Sequence, residues 1–158
     1  MKLKYKLASL VVALLFLTAW VPVNNPNEVN FYKDSYDNFL REAKKQHKPV
    51  ILEFWASWCG PCKKLNQETF SDKDFAAFLN KNFLVYKVDI DSFDGIKIVE
   101  KFNVQAFPTL LVADSKGNEV SQLKGFYYAS YLQKTLDELN DKYQLFNSLK
   151  KEQIVVMN

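Results

Sequence analysis

The chain has 158 residues, 48% hydrophobic and 25% charged, the balance of one folded domain with its own core, which excludes a disordered or fibrous chain. Its formal charge is +3, and Lys2, Lys4 and Lys6 account for the whole excess; the remainder holds 18 basic against 18 acidic residues, which leaves no electrostatic case for nucleic acid. Two cysteines and one histidine, His47, cannot supply the four ligands of a standard structural zinc site, and Lys63 after Cys62 breaks the C-x-x-C-H haem-attachment pattern, so neither a metal nor a cofactor is expected.

The three early lysines precede an apolar run from Leu7 to Trp20, with no acidic residue before Glu28. This is the layout of a secretory signal, and the run is shorter than the roughly 20 residues of a spanning helix. Extension through Val23 reaches the lower limit for an anchor, and no clean small-x-small cleavage site is present. Residues 1–23 are therefore read as a signal peptide or an uncleaved membrane anchor, with the lysines inside and the rest exported. Residues 24–30, with Pro26, read as a polar linker.

From Ser35 to Gln46 the pattern is helical, with Tyr36, Phe39, Leu40 and Ala43 on one face and Asp34 or Ser35 as the cap. His47 falls at its solvated end, and Pro49 stops it. Val50 to Trp55 is too continuously apolar for a half-exposed strand and reads as a central one covered on both faces. Next comes Trp58-Cys59-Gly60-Pro61-Cys62-Lys63, in which Gly60-Pro61 opens a helix. Two cysteines at this spacing form and break a disulfide within one helical turn, which is redox chemistry. Ser71 and Asp74 resemble a capping box ahead of Phe75 to Leu79. Phe83 to Val88 is a second buried strand, Gly95 to Lys101 a short helix, and Thr109 to Ala113 and Glu119 to Lys124 two strands joined by the turn Ser115-Lys116-Gly117-Asn118. Phe126-Tyr127-Tyr128 is an aromatic run suited to docking the closing helix, Tyr128 to Lys142, whose Tyr131, Leu132, Leu136 and Leu139 are in register. After it Leu145, Phe146, Leu149, Ile154 and Val155 could pack onto the domain or mediate association. The order of elements is that of a three-layer α/β/α domain with an added N-terminal helix.

Ile51 to Lys63, with its strand leading into Trp-Cys-Gly-Pro-Cys-Lys, resembles the active-site segment of the thioredoxin family. Phe107-Pro108-Thr109 is similar to that family's cis-proline segment, and Gly125 falls at its groove glycine. The resemblance spans roughly Phe31 to Lys142 and implies a thioredoxin fold, α/β with a central mixed sheet, over 31–143, followed by a tail at 144–158. Lys48-Pro49-Val50 and Glu68-Thr69-Phe70-Ser71-Asp72 are further similar to exported thioredoxin-like proteins and to the C-terminal domain of transmembrane thiol:disulfide interchange reductases.

The resemblance implies a role for each matching residue. Cys59, at a helix start, is the nucleophile; a helix N-terminus contributes about 0.3–2 kcal/mol to an anion, which lowers an ordinary thiol by roughly one pKa unit. Cys62, more deeply placed, resolves the mixed disulfide. Glu53 stands where the family has a buried carboxylate, usually Asp, and takes the Cys62 proton, with Lys87 in electrostatic support; the plain alternatives are a strand-end glutamate and an exposed strand lysine. Pro108 faces the disulfide, and Trp58, Gly60, Pro61, Phe107, Thr109 and Gly125 line a shallow substrate groove. Trp55 is read as core. The implied function is extracytoplasmic reduction of disulfide-bonded protein substrates, with a membrane-embedded thiol reductase as electron donor and membrane contact only through the N-terminal segment. A disulfide oxidase or isomerase, and a tethered binding module in which redox is incidental, stay open as alternatives.

Overall fold

A computed structural model describes residues 27–156, with side chains through Lys142. The expected signal or anchor at 1–23 and the first three linker residues, 24–26, lie outside the described residues, as do the side chains of the tail. Among the described residues, no helix is long and apolar enough to cross a membrane.

Helix α1 (Tyr36–Gln46) starts where Ser35 Oγ accepts the Asn38 N–H, and it ends at His47, whose N–H reaches the carbonyls of Ala43 and Lys44. Strand β1 (Val50–Trp55) follows, then helix α2 (Gly60–Lys64), which continues as a π-helical turn over Leu65–Thr69. Helix α3 (Lys73–Asn82), strand β2 (Leu84–Asp89) and helix α4 (Phe93–Lys101) come next. Strands β3 (Thr109–Ala113) and β4 (Glu119–Lys124) form the hairpin, and helix α5 (Ala129–Val156) closes the chain.

The sheet order is β2-β1-β3-β4. β1 runs parallel to β2 and antiparallel to β3, and β3 pairs antiparallel with β4, so the sheet is mixed. β1 is central, as its unbroken apolar run requires, because both of its faces are covered. Val50, Leu52 and Phe54 point to one face, where Phe39 and Ala43 of α1, Ile98 of α4 and Phe102 just after it cover them. Ile51 points to the other, under Leu65, Phe75, Leu79, Leu132 and Leu136. Strand alternation puts Glu53 on that second face. Beyond β2, Phe31 forms a single parallel bridge to Val85, and the Tyr32 N–H donates to the Val85 carbonyl at 2.8 Å, which shields part of that edge.

Three element starts, and the packing of the closing helix, differ from the sequence-based expectation. The capping box at Ser71 and Asp74 does not form: Asp72 is the N-cap of α3 and accepts the Phe75 N–H at 2.9 Å, while the Ser71 hydroxyl turns back to the Gln67 carbonyl. A wide turn at Leu65–Thr69, closed by the Phe70 N–H on the Leu65 carbonyl, precedes this cap. β2 begins at Leu84, since Phe83 still closes α3 through its N–H on the Leu79 carbonyl. Helix α4 starts at Phe93, capped by Ser92, whose Oγ accepts the Gly95 N–H at 3.0 Å; a Cβ at Gly95 would run into the Asp89 carbonyl, so the glycine belongs to the helix start. On α5, Leu132 and Leu136 are buried and Leu139 packs beside them, but Tyr131 is exposed and stacks on Tyr127 at 5.6 Å instead. Of the aromatic run, Phe126 and Tyr127 dock on the core and Tyr128 stays exposed.

The observed cap gives a direct check. Asp72→Ala should destabilise the protein by about 1 kcal/mol, and Ser71→Ala, which loses one exposed side-chain hydrogen bond, by less. Urea unfolding of both variants measures the difference; equal losses would argue against Asp72 as the cap.

Candidate active site

The C-terminal end of β1 delivers the chain to the site. After Trp55 and the buried Ala56, Cys59 becomes the N-cap of α2, and Pro61 sits in the first turn, where its missing N–H leaves nothing unpaired. Cys59 and Cys62 are joined as a disulfide, with Cα atoms 5.3 Å apart. The Cys62 N–H points at Cys59 Sγ, 3.2 Å away. A helix start aimed at one sulfur in this way favours negative charge there. Cys62 is fully buried, and Cys59 is 4% exposed, so in the oxidised state the outer sulfur is a narrow opening rather than an exposed group.

Around the pair, Ala56 lies beneath and Trp55, Ile90 and Phe107 pack alongside. The Phe107-Pro108 bond is cis, as the resemblance implied. The Pro108 carbonyl accepts the Gly125 N–H at 2.8 Å, and Gly125 has φ of +94°, a conformation open to glycine, with no atom within 4 Å of a built Cβ. Pro108 itself is buried. Trp58 is 64% exposed and its indole N–H donates to Asp91 Oδ2 at 2.9 Å, which ties the ring to the loop after β2. Gly60 and Pro61 are also exposed, and Phe107 is half-buried. Thr109 departs from expectation: its side chain is buried and its hydroxyl donates to the Ala106 carbonyl at 2.7 Å, so it braces the loop from within and does not line the groove. Trp55, expected in the core, is only partly buried.

Glu53 is fully buried, which removes the reading as a solvent-facing strand end. Its register partner on β2 is Lys87, and Lys87 Nζ stands 3.3 Å from Glu53 Oε2. This is an ion pair without hydrogen-bond alignment, and neither Glu53 oxygen has a hydrogen-bond partner. Burial pushes the Glu53 carboxyl up to about 7, and Lys87 offsets only part of that rise. Lys87 itself is 25% exposed; its ammonium lies over the rings of Phe31 at 4.7 Å and Trp55 at 4.8 Å. It donates to Asn66 Oδ1 at 2.8 Å, and Asn66 Nδ2 donates to the Cys62 carbonyl at 3.2 Å. Asn66 and Asp91 were not singled out from the sequence. Asn66 carries a usable signal, since it lies four residues, one helical turn, after Cys62; Asp91 carries none.

A cysteine pair capped by a helix start, a cis-proline loop whose Phe107 packs against it and a buried strand carboxylate linked to it through Lys87 and Asn66 are the features of a thioredoxin-fold site. The family model for the thioredoxin-like domain matches residues 36–140, and the chain belongs to that family, as a thioredoxin-like thiol:disulfide oxidoreductase with a C-x-x-C pair. It is 32% identical over 108 residues to the thiol:disulfide interchange protein DsbD of Campylobacter jejuni, a match covering 67% of this chain and 19% of that protein, so the chain spans about a fifth of that relative's length. A candidate disulphide isomerase from Bacteroides thetaiotaomicron superposes with a TM-score of 0.64 at 30% identity, covering 73% of this chain and 96% of that one. The oxidised C-terminal domain of Neisseria meningitidis DsbD shares the fold, with a TM-score of 0.58 at 22% identity over 69% of this chain and 98% of that domain.

The buried carboxyl makes stability depend on pH. Glu53 holds its proton to about 7 in the folded protein against 4.5 ordinarily, so between these values the folded state binds more protons than the unfolded chain. Its stabilising contribution is complete below pH 4.5, fades as pH rises, and is gone above about 7, a loss on the order of 3 kcal/mol. Urea unfolding of the oxidised protein at pH 5 and pH 8 should show this decline, and Glu53→Gln should remove most of it. An identical decline in the variant would assign the pH dependence to other groups.

Proposed function

We propose that the protein is an extracytoplasmic reductant of protein disulfides. The observation that carries this reading is the asymmetry of the two sulfurs: Cys59 caps the helix and receives the Cys62 N–H, while Cys62 is fully buried and its carbonyl is linked through Asn66 and Lys87 to the buried Glu53. In the dithiol form the Cys59 thiolate attacks one sulfur of a substrate disulfide, forming a mixed disulfide and releasing the other substrate sulfur as a thiolate. Cys62 then gives its proton to ionised Glu53 and attacks Cys59 Sγ. The Cys59–Cys62 disulfide forms, the second substrate sulfur leaves, and protons from Glu53 and water complete two substrate thiols. Two electrons pass from the protein to the substrate.

The direction rests on Gly60-Pro61 between the cysteines, an insert resembling that of reducing family members, whose potentials lie near −270 mV against about −120 mV for strong oxidants. Export rests on the lysine-flanked apolar run at 1–23. An exported reductant has no direct access to cytosolic donors, so a membrane-embedded thiol reductase recharges the disulfide; the relationship to DsbD supports that class of partner. Trp58, Gly60, Pro61, Phe107 and Gly125 form the substrate surface, and an extended substrate segment pairs its backbone beside Pro108.

One observation favours a second reading, isomerisation: the Bacteroides thetaiotaomicron relative is named as a candidate disulphide isomerase. Refolding of a scrambled disulfide protein without added reductant discriminates the two. An isomerase restores activity and a reductase does not.

Cys59→Ala should abolish disulfide reduction, and Cys62→Ala should accumulate mixed disulfides with substrate, seen as adducts on non-reducing gels that dithiothreitol reverses. Normal turnover of Cys62→Ala would remove it as the resolving thiol. Equilibration with glutathione should give a potential near −270 mV; a value above about −180 mV would overturn the reductant assignment.

A further inference from the structure

The unaligned contact between Lys87 and Glu53 is at odds with the usual behaviour of a buried pair. A carboxylate with no hydrogen bond of its own and an ammonium 3.3 Å away should draw together into an aligned, charge-assisted bond. The aligned N–H of Lys87 instead goes to Asn66 Oδ1, at 2.8 Å. Asn66 cannot turn away, because its Nδ2 is held by the Cys62 carbonyl at 3.2 Å. Flipping the amide would set an NH2 group against an ammonium and a carbonyl oxygen against a carbonyl oxygen, so the two contacts fix its orientation together. Asn66 sits in the π-helical turn Leu65–Thr69, whose wider winding follows directly on the cysteine helix.

We propose that Asn66 is a positioning residue that competes with Glu53 for the Lys87 ammonium, keeping the Glu53 carboxylate only partly neutralised and tying it to the backbone of Cys62. An ammonium fully committed to Glu53 would make an ordinary ion pair, with a carboxylate ionised through neutral pH and unable to take a proton. An absent ammonium would leave the carboxyl locked in its protonated form. Asn66 holds the balance between these limits.

No other charged group on the described elements competes for this role. β3 sets Leu110 opposite Glu53, Lys63, Lys64 and Glu68 of the helix are exposed, and the two cysteines do not titrate while joined as a disulfide. The field acting on Glu53 is that of Lys87.

The inference deepens the proposed function and rests on its assignment of Glu53 as the acceptor of the Cys62 proton, but its test does not. The Glu53 side-chain carboxyl is followed by carbon-13 NMR against pH in the oxidised protein. Asn66→Ala should lower the midpoint by at least half a pH unit, as Lys87 aligns on Glu53. Asn66→Asp, which draws the ammonium away and adds a negative charge, should raise it. In a Lys87→Met background, Asn66→Ala should have no effect. An unchanged or raised midpoint in Asn66→Ala, or a shift that persists without Lys87, overturns the proposal. The rate of mixed-disulfide resolution against pH is then measured in the same variants. If the midpoint moves as expected and the rate profile does not follow, the clamp stands and the role given to Glu53 in resolution falls.

Discussion

The register of β1 against its two neighbours is the constraint on which the site depends. Pairing with β2 sets Glu53 beside Lys87, and pairing with β3 sets Phe54 beside Thr109, the residue after Pro108. One strand therefore fixes, within two consecutive residues, the carboxylate's counter-charge and the placement of the proline loop, and its end leads into the cysteine helix. A slip of one residue would exchange the faces of β1. It would turn Glu53 into the apolar face built by Phe39, Ala43, Ile98 and Phe102 and away from Lys87. The apolar residues on either side of Glu53, all buried, are what make such a slip costly. The core of the domain and the geometry of the site are in this sense one arrangement.

Tolerance of Glu53 follows from the same strand. An ionised carboxylate without partners in a low-dielectric core is unfavourable by several kcal/mol, and the chain limits this in two ways. The carboxyl retains its proton into the neutral range, and Lys87 supplies partial compensation from a position that still touches water. The rings of Phe31 and Trp55 hold the lysine there, which gives the short bridge of Phe31 to Val85 a function beyond covering a sheet edge. Stability is given up at this position, and it is the position where a proton acceptor behind a dithiol is useful.

Much of this was readable from the sequence because it depends on local chemistry. β1, β3 and β4 begin and end where the apolar runs and turn residues place them, and Ser35 and Pro61 mark helix starts through short-range hydrogen bonding and ring geometry. The misplacements have separate causes. Ser71 and Asp74 fit the capping-box pattern, but the Ser71 hydroxyl turns back to the Gln67 carbonyl and Asp72 performs the cap. The Lys87 contact depends on register between strands more than thirty residues apart, and an exposed lysine fitted the local pattern as well. Trp58 was placed at the surface correctly, but Asp91, which orients it, lies on a loop whose path only the folded chain determines. Tyr131 kept helical register with Leu132 and still faces outward, because Tyr127 gives its ring a partner on the surface.

The buried half of the site restricts how charge is shared once the disulfide is reduced. Cys62 and Glu53 are both fully buried, and among the described residues Lys87 is the cation acting on Glu53. A Cys62 thiolate and a Glu53 carboxylate present together would place two anions against one partly exposed ammonium, which favours states in which the pair retains one proton. Under the proposed mechanism, resolution moves that proton from Cys62 to Glu53 and leaves the net charge of the buried region unchanged until the proton departs to solvent. The Cys59 side differs: its sulfur has the helix start to stabilise negative charge and a route to water, so its ionisation need not wait on Glu53. Under the proposed mechanism attack and resolution come under separate electrostatic control, the first by the helix terminus and the second by Glu53, Lys87 and Asn66.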